Sequence, residues 1–151
     1  MVLRDMKLAD RFTARGHPSI RSTHETTLMV TRDMDLTLRG DCIVAIEAEK
    51  GLKDLDPPLK ELIRNTETSV SILIEAGGSS FRVSGKGDPR LPLSHPSEMV
   101  IRKSGYVCDR TLMVRADKAA KEVPREFVDL LKDHERVIKV TISAELVTQK
   151  R

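Results

Sequence analysis

The stretch TARGHPSIRSTHETTLMVTRDMDLTLRGDCIVAIEAE, Thr13 to Glu49, decides how the chain is read. From Ile20 to Thr31 the residues alternate, placing Ile20, Ser22, His24, Thr26, Leu28 and Val30 on one face. From Leu36 to Ala48 the alternation groups Leu36, Leu38, Gly40, Cys42, Val44, Ile46 and Ala48. A period of two is the signature of a half-buried strand, so the stretch predicts two strands turning at Asp33-Met34-Asp35. In an antiparallel hairpin even positions pair with even ones, which sets His24 opposite Cys42 or Val44 and sends Asp41 to the other face, beside Glu25 or Thr27. A ring nitrogen left unpaired on an apolar face is costly, so His24 needs a partner.

Outward from this stretch, residues 1 to 12 fit either a frayed amphipathic turn or an edge strand and are left unassigned, and Pro18 confines any strand to begin after it. Pro57-Pro58 opens a short helix to about Asn65, with Asp56 as its cap and Leu59, Leu62 and Ile63 inward. Thr68 to Ala76 and Ser79 to Ser84 form a hairpin across Gly77-Gly78, and its register pairs Ile74 with Phe81, Ile72 with Val83 and Val70 with Gly85. Gly85 to Ser97 is too rich in Pro and Gly for a ladder strand. Met99 to Ser104 and Thr111 to Ala116 read as strands. Asp117 is expected to cap a short helical segment, and PREFVDLLKDHE restarts it with Phe127, Leu130, Leu131 and His134 at helical spacing. Val137 to Val147 closes the chain as a strand.

About seven strands and two short helical segments predict a mainly β, β-rich α+β domain spanning residues 1–151. An antiparallel β-sandwich or partly open barrel fits better than a βαβ fold, because few helices lie between strands. No repeat, low-complexity segment or linker is visible in the sequence.

The chain has 151 residues, 39 % hydrophobic and 32 % charged, enough for a core without disulfides or metal. Aromatics are 3 % with no Trp, which argues against base-stacking platforms. A net charge of +3 permits contact with phosphate without requiring it. Asn65 and Gln149 are the only amide side chains, and with the abundant Arg, Lys and Glu they point to a hyperthermophile's protein. Such proteins use intracellular disulfides, which leaves a Cys42–Cys108 bridge open beside two buried thiols. No apolar run reaches the roughly 18 residues of a membrane span, and the charged start is no signal peptide, so a cytoplasmic location is expected.

Metal-assisted hydrolysis needs two or three His or carboxylate ligands around an open position. His17, His24 and Asp41 are the candidate ligands of a divalent metal, with His24 and Asp41 as catalytic groups. His95 and Asp109 are further donors from later loops. The structural alternative is that His24 bonds a nearby hydroxyl or backbone group while His17 and His95 cap turns beside their prolines. Asp41 with Glu47, Glu49 and Lys50 has the ingredients of a carboxylate-and-lysine nuclease, but neighbouring Glu49 and Lys50 point to opposite faces. The loop GKGDP lacks the glycine spacing and following helix of a phosphate cradle. Arg102, Lys103 and Arg110 make a candidate basic patch for nucleic acid or a protein partner.

The ordered set RGHP (15–18), GDC (40–42), GKGDP (85–89), MVIRKS (99–104), DRTL (109–112) and ADKAA (116–120) resembles an archaeal family catalogued as a domain of unknown function. The resemblance covers about residues 13 to 145. It implies an archaeal, single-domain, sandwich-type β fold, and functional labels near that family lean toward nuclease, without catalytic residues to carry over. Two functions follow: a metal-assisted phosphodiesterase or nuclease, and a non-catalytic β-sandwich binding module. Strand edges also make a homodimer a possible assembly.

Overall fold

The computed structural model describes residues 5–36 and 40–147. Eight strands and two short helices follow in the order β1 (Met6–Arg15), β2 (Thr27–Thr31), β3 (Ile43–Ala45), α1 (Pro57–Ile63), β4 (Ser69–Ala76), β5 (Ser79–Lys86), β6 (Glu98–Arg102), β7 (Thr111–Met113), α2 (Arg125–Leu131) and β8 (Val137–Leu146). They build two four-stranded sheets, β1-β8-β4-β5 and β3-β2-β6-β7, in a β-rich α+β architecture.

The β4–β5 hairpin forms in the register its sequence specifies, Ile74 opposite Phe81, Ile72 opposite Val83 and Val70 opposite Gly85. Its turn puts Gly77 at φ 56° and Gly78 at φ 81°, the paired left-handed geometry for which two glycines are suited. Alternation then sorts the first sheet. Phe12 and Ala14 of β1, Ile138, Val140 and Ile142 of β8, Val70, Ile72 and Ile74 of β4, and Phe81 and Val83 of β5 are buried. They share one core with Leu59 and Ile63 of α1, Phe127 and Leu131 of α2, and Leu28, Val30, Met99 and Ile101 of the second sheet. Each such aliphatic or aromatic side chain contributes about 1.5–3 kcal/mol by leaving water.

The opening stretch departs from its alternating pattern. β2 starts only at Thr27, and it pairs with β3 in parallel, not as a hairpin. Residues before it are spent on a corner: the His17 amide donates to the Leu131 carbonyl at 2.9 Å, and those of Thr23 and His24 to the Asp41 carbonyl at 2.8 and 3.2 Å. Their backbone groups are satisfied outside any ladder, so periodicity there marks burial without a strand. Part of the second expected strand, residues 37–39, lies outside the described residues. Residues 6–12, unassigned from sequence, belong to β1, which pairs along its whole length with β8. Neither expected aspartate cap forms. The Asp56 side chain makes no cap bond, and Asp117 accepts from the Ser84 amide at 3.0 Å instead of capping a helix.

Contrary to the expectation from sequence, the structure contains a repeat. Residues 6–76 and 79–144 form equivalent units related by an approximate two-fold axis, with Gly16 matching Gly87 and Ile43 matching Thr111. The axis passes between Leu73 and Thr141 in one sheet and between Met29 and Val100 in the other, each pair being opposite in register. The parallel pairs β2–β3 and β6–β7 correspond, as do the bridges Arg15–Ile46 and Lys86–Val114. All four described non-glycine residues with positive φ fall into two equivalent couples, Ser22 with Leu93 (both 52°) and Glu47 (51°) with Arg115 (55°). Such a conformation is sparsely populated for L-residues, so its recurrence at matching sites is strong evidence of equivalence. The units interlock: β1 pairs with β8 and β4 with β5, so each half completes the other's sheet.

Candidate functional site

Strand alternation that buries one face of the β1-β8-β4-β5 sheet exposes the other, a mainly polar face interrupted by Ala9, Leu73 and Val137. It carries Lys7, Arg11 and Arg15 from β1, Arg82 and Lys86 from β5, and Lys139 from β8, against two carboxylates, Glu75 and Glu145. Glu145 stands opposite Lys7 and Glu75 opposite Lys139, so these four charges offset one another locally. The cations of the two edge strands, Arg11 and Arg15 on β1 and Arg82 and Lys86 on β5, form no ion pair among the described residues, with Glu49 and Asp117 held at the same borders by the Thr13 and Ser84 amides. Arg11 and Arg82 are equivalent under the two-fold axis and end one cross-strand row, Arg11–Thr141–Leu73–Arg82. Both are exposed, and neither forms an ion pair among the described residues.

Between these edges lies a groove of about 430 Å³ over hydroxyl-bearing side chains, including Ser69, Ser71, Ser84, Thr141 and Ser143. Ser71 and Ser143 share a 2.7 Å hydrogen bond across the axis. The Arg82 guanidinium donates to the Ser71 hydroxyl at 3.0 Å, which aims it over the groove. Cationic borders around hydroxyl donors suit an extended polyanion, since phosphate oxygens accept from both.

The residues expected from sequence to form a site are placed differently. The His24 Nδ1 accepts from the amides of Thr26 and Thr27 at 3.2 and 3.1 Å, and its equivalent, His95, accepts from Ser97 and Glu98 at 3.2 and 2.9 Å. The His24 carbonyl takes the Lys121 amide and the His95 carbonyl the Lys53 amide, so each ring builds a turn that pins one half to the other. His17 Nδ1 accepts the Ser19 amide at 3.0 Å, and its Nε2 lies 3.5 Å from Asp35. Asp41 reaches His24 through its backbone carbonyl. Among the described residues, no three His, Cys, Asp or Glu side chains gather to hold a metal ion. His134, expected at helical spacing with Phe127, Leu130 and Leu131, lies beyond α2 and bonds Glu47.

The expected basic patch is largely neutralised. Lys103 pairs with Glu122 at 2.8 Å and Arg110 with Glu98 at 3.0 Å. Arg102 stacks on Tyr106, its Cζ 5.0 Å from the ring centroid, and donates to Thr111 at 2.9 Å and to the Cys108 sulfur at 3.2 Å. Lys7 and Arg11 escaped the sequence reading because residues 1–12 had no assigned element. Lys7, Arg11 and Arg15, at odd positions around the inward Phe12 and Ala14, were the available signal.

Both cysteines are free. Burial is the main influence on Cys42 and pushes its thiol up, reinforced by the charge of Asp41. At Cys108 partial burial also acts upward, but bonds from the Thr111 hydroxyl, the Arg110 amide and Arg102 outweigh it and bring the thiol down to about 7. The thiolate is the reactive form, so iodoacetamide at pH 8 should alkylate Cys108 well before Cys42. Its rate should reach half of its plateau near pH 7, and Arg102→Ala should move that midpoint upward. Mass spectrometry of timed samples checks this, and equal labelling of the two cysteines contradicts it.

Fold and site together define a two-fold-repeated, two-sheet protein with a cationic groove on one sheet. The chain belongs to the family described as Domain of unknown function (DUF371), whose model matches residues 12–145. It is similar to "Uncharacterized protein MJ0206" of Methanocaldococcus jannaschii, 42 % identical over 125 residues that cover 83 % of this chain and 92 % of the relative. Among the described residues no helix is long and apolar enough to cross a membrane.

Proposed function

We propose that the protein binds nucleic acid through the outer face of the β1-β8-β4-β5 sheet, acting as a binding module. The observation that carries this reading is the equivalent pair Arg11 and Arg82, exposed and, among the described residues, in no ion pair with a carboxylate, at the two ends of one row across a groove rich in hydroxyls. Lysine and arginine that meet phosphates release condensed counterions, so affinity of this origin falls steeply with salt. A metal-assisted cleavage centre at His17, His24 and Asp41 lacks comparable support, because both rings are engaged within their own turns.

Binding of a labelled oligonucleotide, followed by fluorescence anisotropy across a salt series, tests the reading. The logarithm of affinity should fall linearly with the logarithm of salt, with about 0.7–0.9 of slope for each phosphate contacted. The Arg11→Ala, Arg82→Ala double variant should lower both affinity and slope, whereas Arg102→Ala should leave them unchanged. A flat salt response, or a double variant that binds like the parent protein, counts against it.

A further inference from the structure

The sheet face carries two separate cationic borders, and their number and spacing bear on the kind of nucleic acid. We infer that the ligand is a duplex, held by its two sugar-phosphate backbones, one on each border and without regard to base sequence. This inference rests on the nucleic-acid reading of the same face.

Three observations lead there. First, the borders lie on the edge strands β1, with Arg11 and Arg15, and β5, with Arg82 and Lys86, separated by β8 and β4. Three inter-strand spacings put the Arg11 and Arg82 backbones about 14 Å apart. The two backbones bounding the major groove of B-form DNA are separated by about 12 Å, within reach of two arginines at that spacing. Between them the row position Thr141–Leu73 is uncharged, and among the described residues the outward cation of the middle strands, Lys139, stands opposite Glu75 and is locally offset by it.

Second, the borders are related by the two-fold axis at Leu73 and Thr141. The antiparallel backbones of a duplex are also related by local two-fold axes, and a protein with the same symmetry can give each backbone the same contact. A single strand has a direction and offers no such match.

Third, among the described residues no aromatic side chain lies on this face to stack on an unpaired base. Phe12, Phe81 and Phe127 are buried in the core, and Tyr106 lies against Arg102, a β6 residue of the other sheet. Proteins that hold single strands draw much of their affinity from aromatic stacking. Beside Glu75, Glu145 and Leu73, the face presents Arg, Lys, Ser and Thr, groups that meet phosphate and sugar in any sequence. A duplex also presents one charge per roughly 1.7 Å of axis, against roughly 3.4 Å for each strand alone.

The test compares a 20-base-pair duplex with each of its separated strands, using the full chain and its Arg11→Ala, Arg82→Ala and double variants, with circular dichroism confirming that each is folded. At about 50 mM salt the duplex should bind at least about tenfold tighter than either strand, with little change when its sequence is scrambled. Arg11→Ala and Arg82→Ala should lower duplex affinity by similar factors, each reducing the salt slope by about 0.9. Single-strand binding as tight as duplex binding, still weakened by these variants, overturns the duplex inference and leaves the binding reading standing. Loss in only one of the two variants overturns the two-border arrangement. No binding to any of the three, or a duplex preference indifferent to both arginines, overturns both.

Discussion

Asp10→Ala should lower the unfolding free energy by about 3–5 kcal/mol, the range for removing one partner of a buried ion pair. Asp10 is an inward residue of β1 and only 6 % exposed. Both of its oxygens accept from the Lys50 ammonium, at 2.9 and 2.8 Å, and one also takes the Asp56 amide at 3.1 Å. The pair ties β1 to the segment leading into α1, and the variant strands the lysine against the core edge. At the equivalent place in the other half stands Phe81, with the Lys118 ammonium 5.2 Å from its ring centroid. The two halves therefore hold the same lysine in two ways, by a carboxylate and by an aromatic face. Asp10→Phe imports the second arrangement and should cost less than Asp10→Ala. Urea unfolding checks both, through a lowered midpoint with unchanged slope. A loss below about 1 kcal/mol for Asp10→Ala contradicts the assignment.

The pH dependence of that loss follows from Lys50. The hydrogen bond to Asp10, foremost, raises its pKa above the ordinary lysine value. A group whose folded pKa is raised contributes fully below its unfolded value, about 10.4 for lysine, and loses that contribution as pH rises through the higher folded value. The gap between parent and Asp10→Ala should thus be constant from neutral to mildly alkaline pH and shrink only above about pH 10.4.

The second large effect belongs to the two corner glycines. A Cβ on Gly87 would lie 2.0 Å from the Ile63 carbonyl oxygen, and one on Gly16 would lie 2.2 Å from that of Leu131. These oxygens belong to the last residues of α1 and α2, so each corner docks backbone to backbone against the other unit's helix. The approach is fixed by bonds on either side: the Gly87 amide to Thr68 at 3.0 Å, Asp88 to Ile63 at 3.1 Å, and His17 to Leu131 at 2.9 Å. Gly87→Ala and Gly16→Ala should each cost about 3 kcal/mol, from overpacking of about 1–3 kcal/mol plus about 1 kcal/mol for a broken hydrogen bond. Thermal unfolding of the two single variants should show similar drops in Tm, because the corners are equivalent. A large drop at one corner with none at the other breaks that equivalence.

Much of the architecture could be read from residues alone. Gly77-Gly78 between two alternating runs fixed the β4–β5 register, since a two-residue turn with paired left-handed geometry leaves one pairing that buries Ile72, Ile74, Phe81 and Val83 together. Pro57-Pro58 marked the start of α1, and the alternation from Val137 marked β8. These signals are local, carried within a few residues of the structure they specify. The resemblance in short ordered segments likewise pointed to the family that the chain belongs to.

The repeat was not legible, although RGHP and GKGDP both stood out. In the equivalent segments 15–32 and 86–103, Gly16/Gly87, Pro18/Pro89 and His24/His95 are among the few identities. What the two halves share is backbone conformation: left-handed Ser22 and Leu93, ring nitrogens of His24 and His95 taking amides, and Glu49 and Asp117 accepting the amides of Thr13 and Ser84. Different side chains can meet the same backbone demand, as Asp10 and Phe81 do, so the equivalence leaves little trace in sequence.

The candidate site was decided at the same level. Arg82 was legible as an outward residue of a hairpin whose register was clear. Its counterpart Arg11, 71 positions earlier, gained meaning only when β1 paired with β8 and the two-fold axis set the arginines at opposite edges of one sheet. The histidines of Thr13–Glu49 left two readings open from sequence, metal-ligating or catalytic groups by their donor chemistry, and turn residues bonded to nearby backbone or hydroxyl groups. The tertiary structure uses those rings as acceptors for backbone amides, since a corner that forms no ladder must satisfy its N–H groups by other means. By itself, then, the sequence determined the β4–β5 hairpin, the start of α1 and the strand β8, where turn or cap residues accompany the pattern, but not Ile20–Thr26, where alternation alone marked burial without a strand. Pairing between distant strands, and with it the placement of charge on the exposed sheet, was decided only by the tertiary structure, because residues far apart in the chain acquire a common face only when the sheet closes.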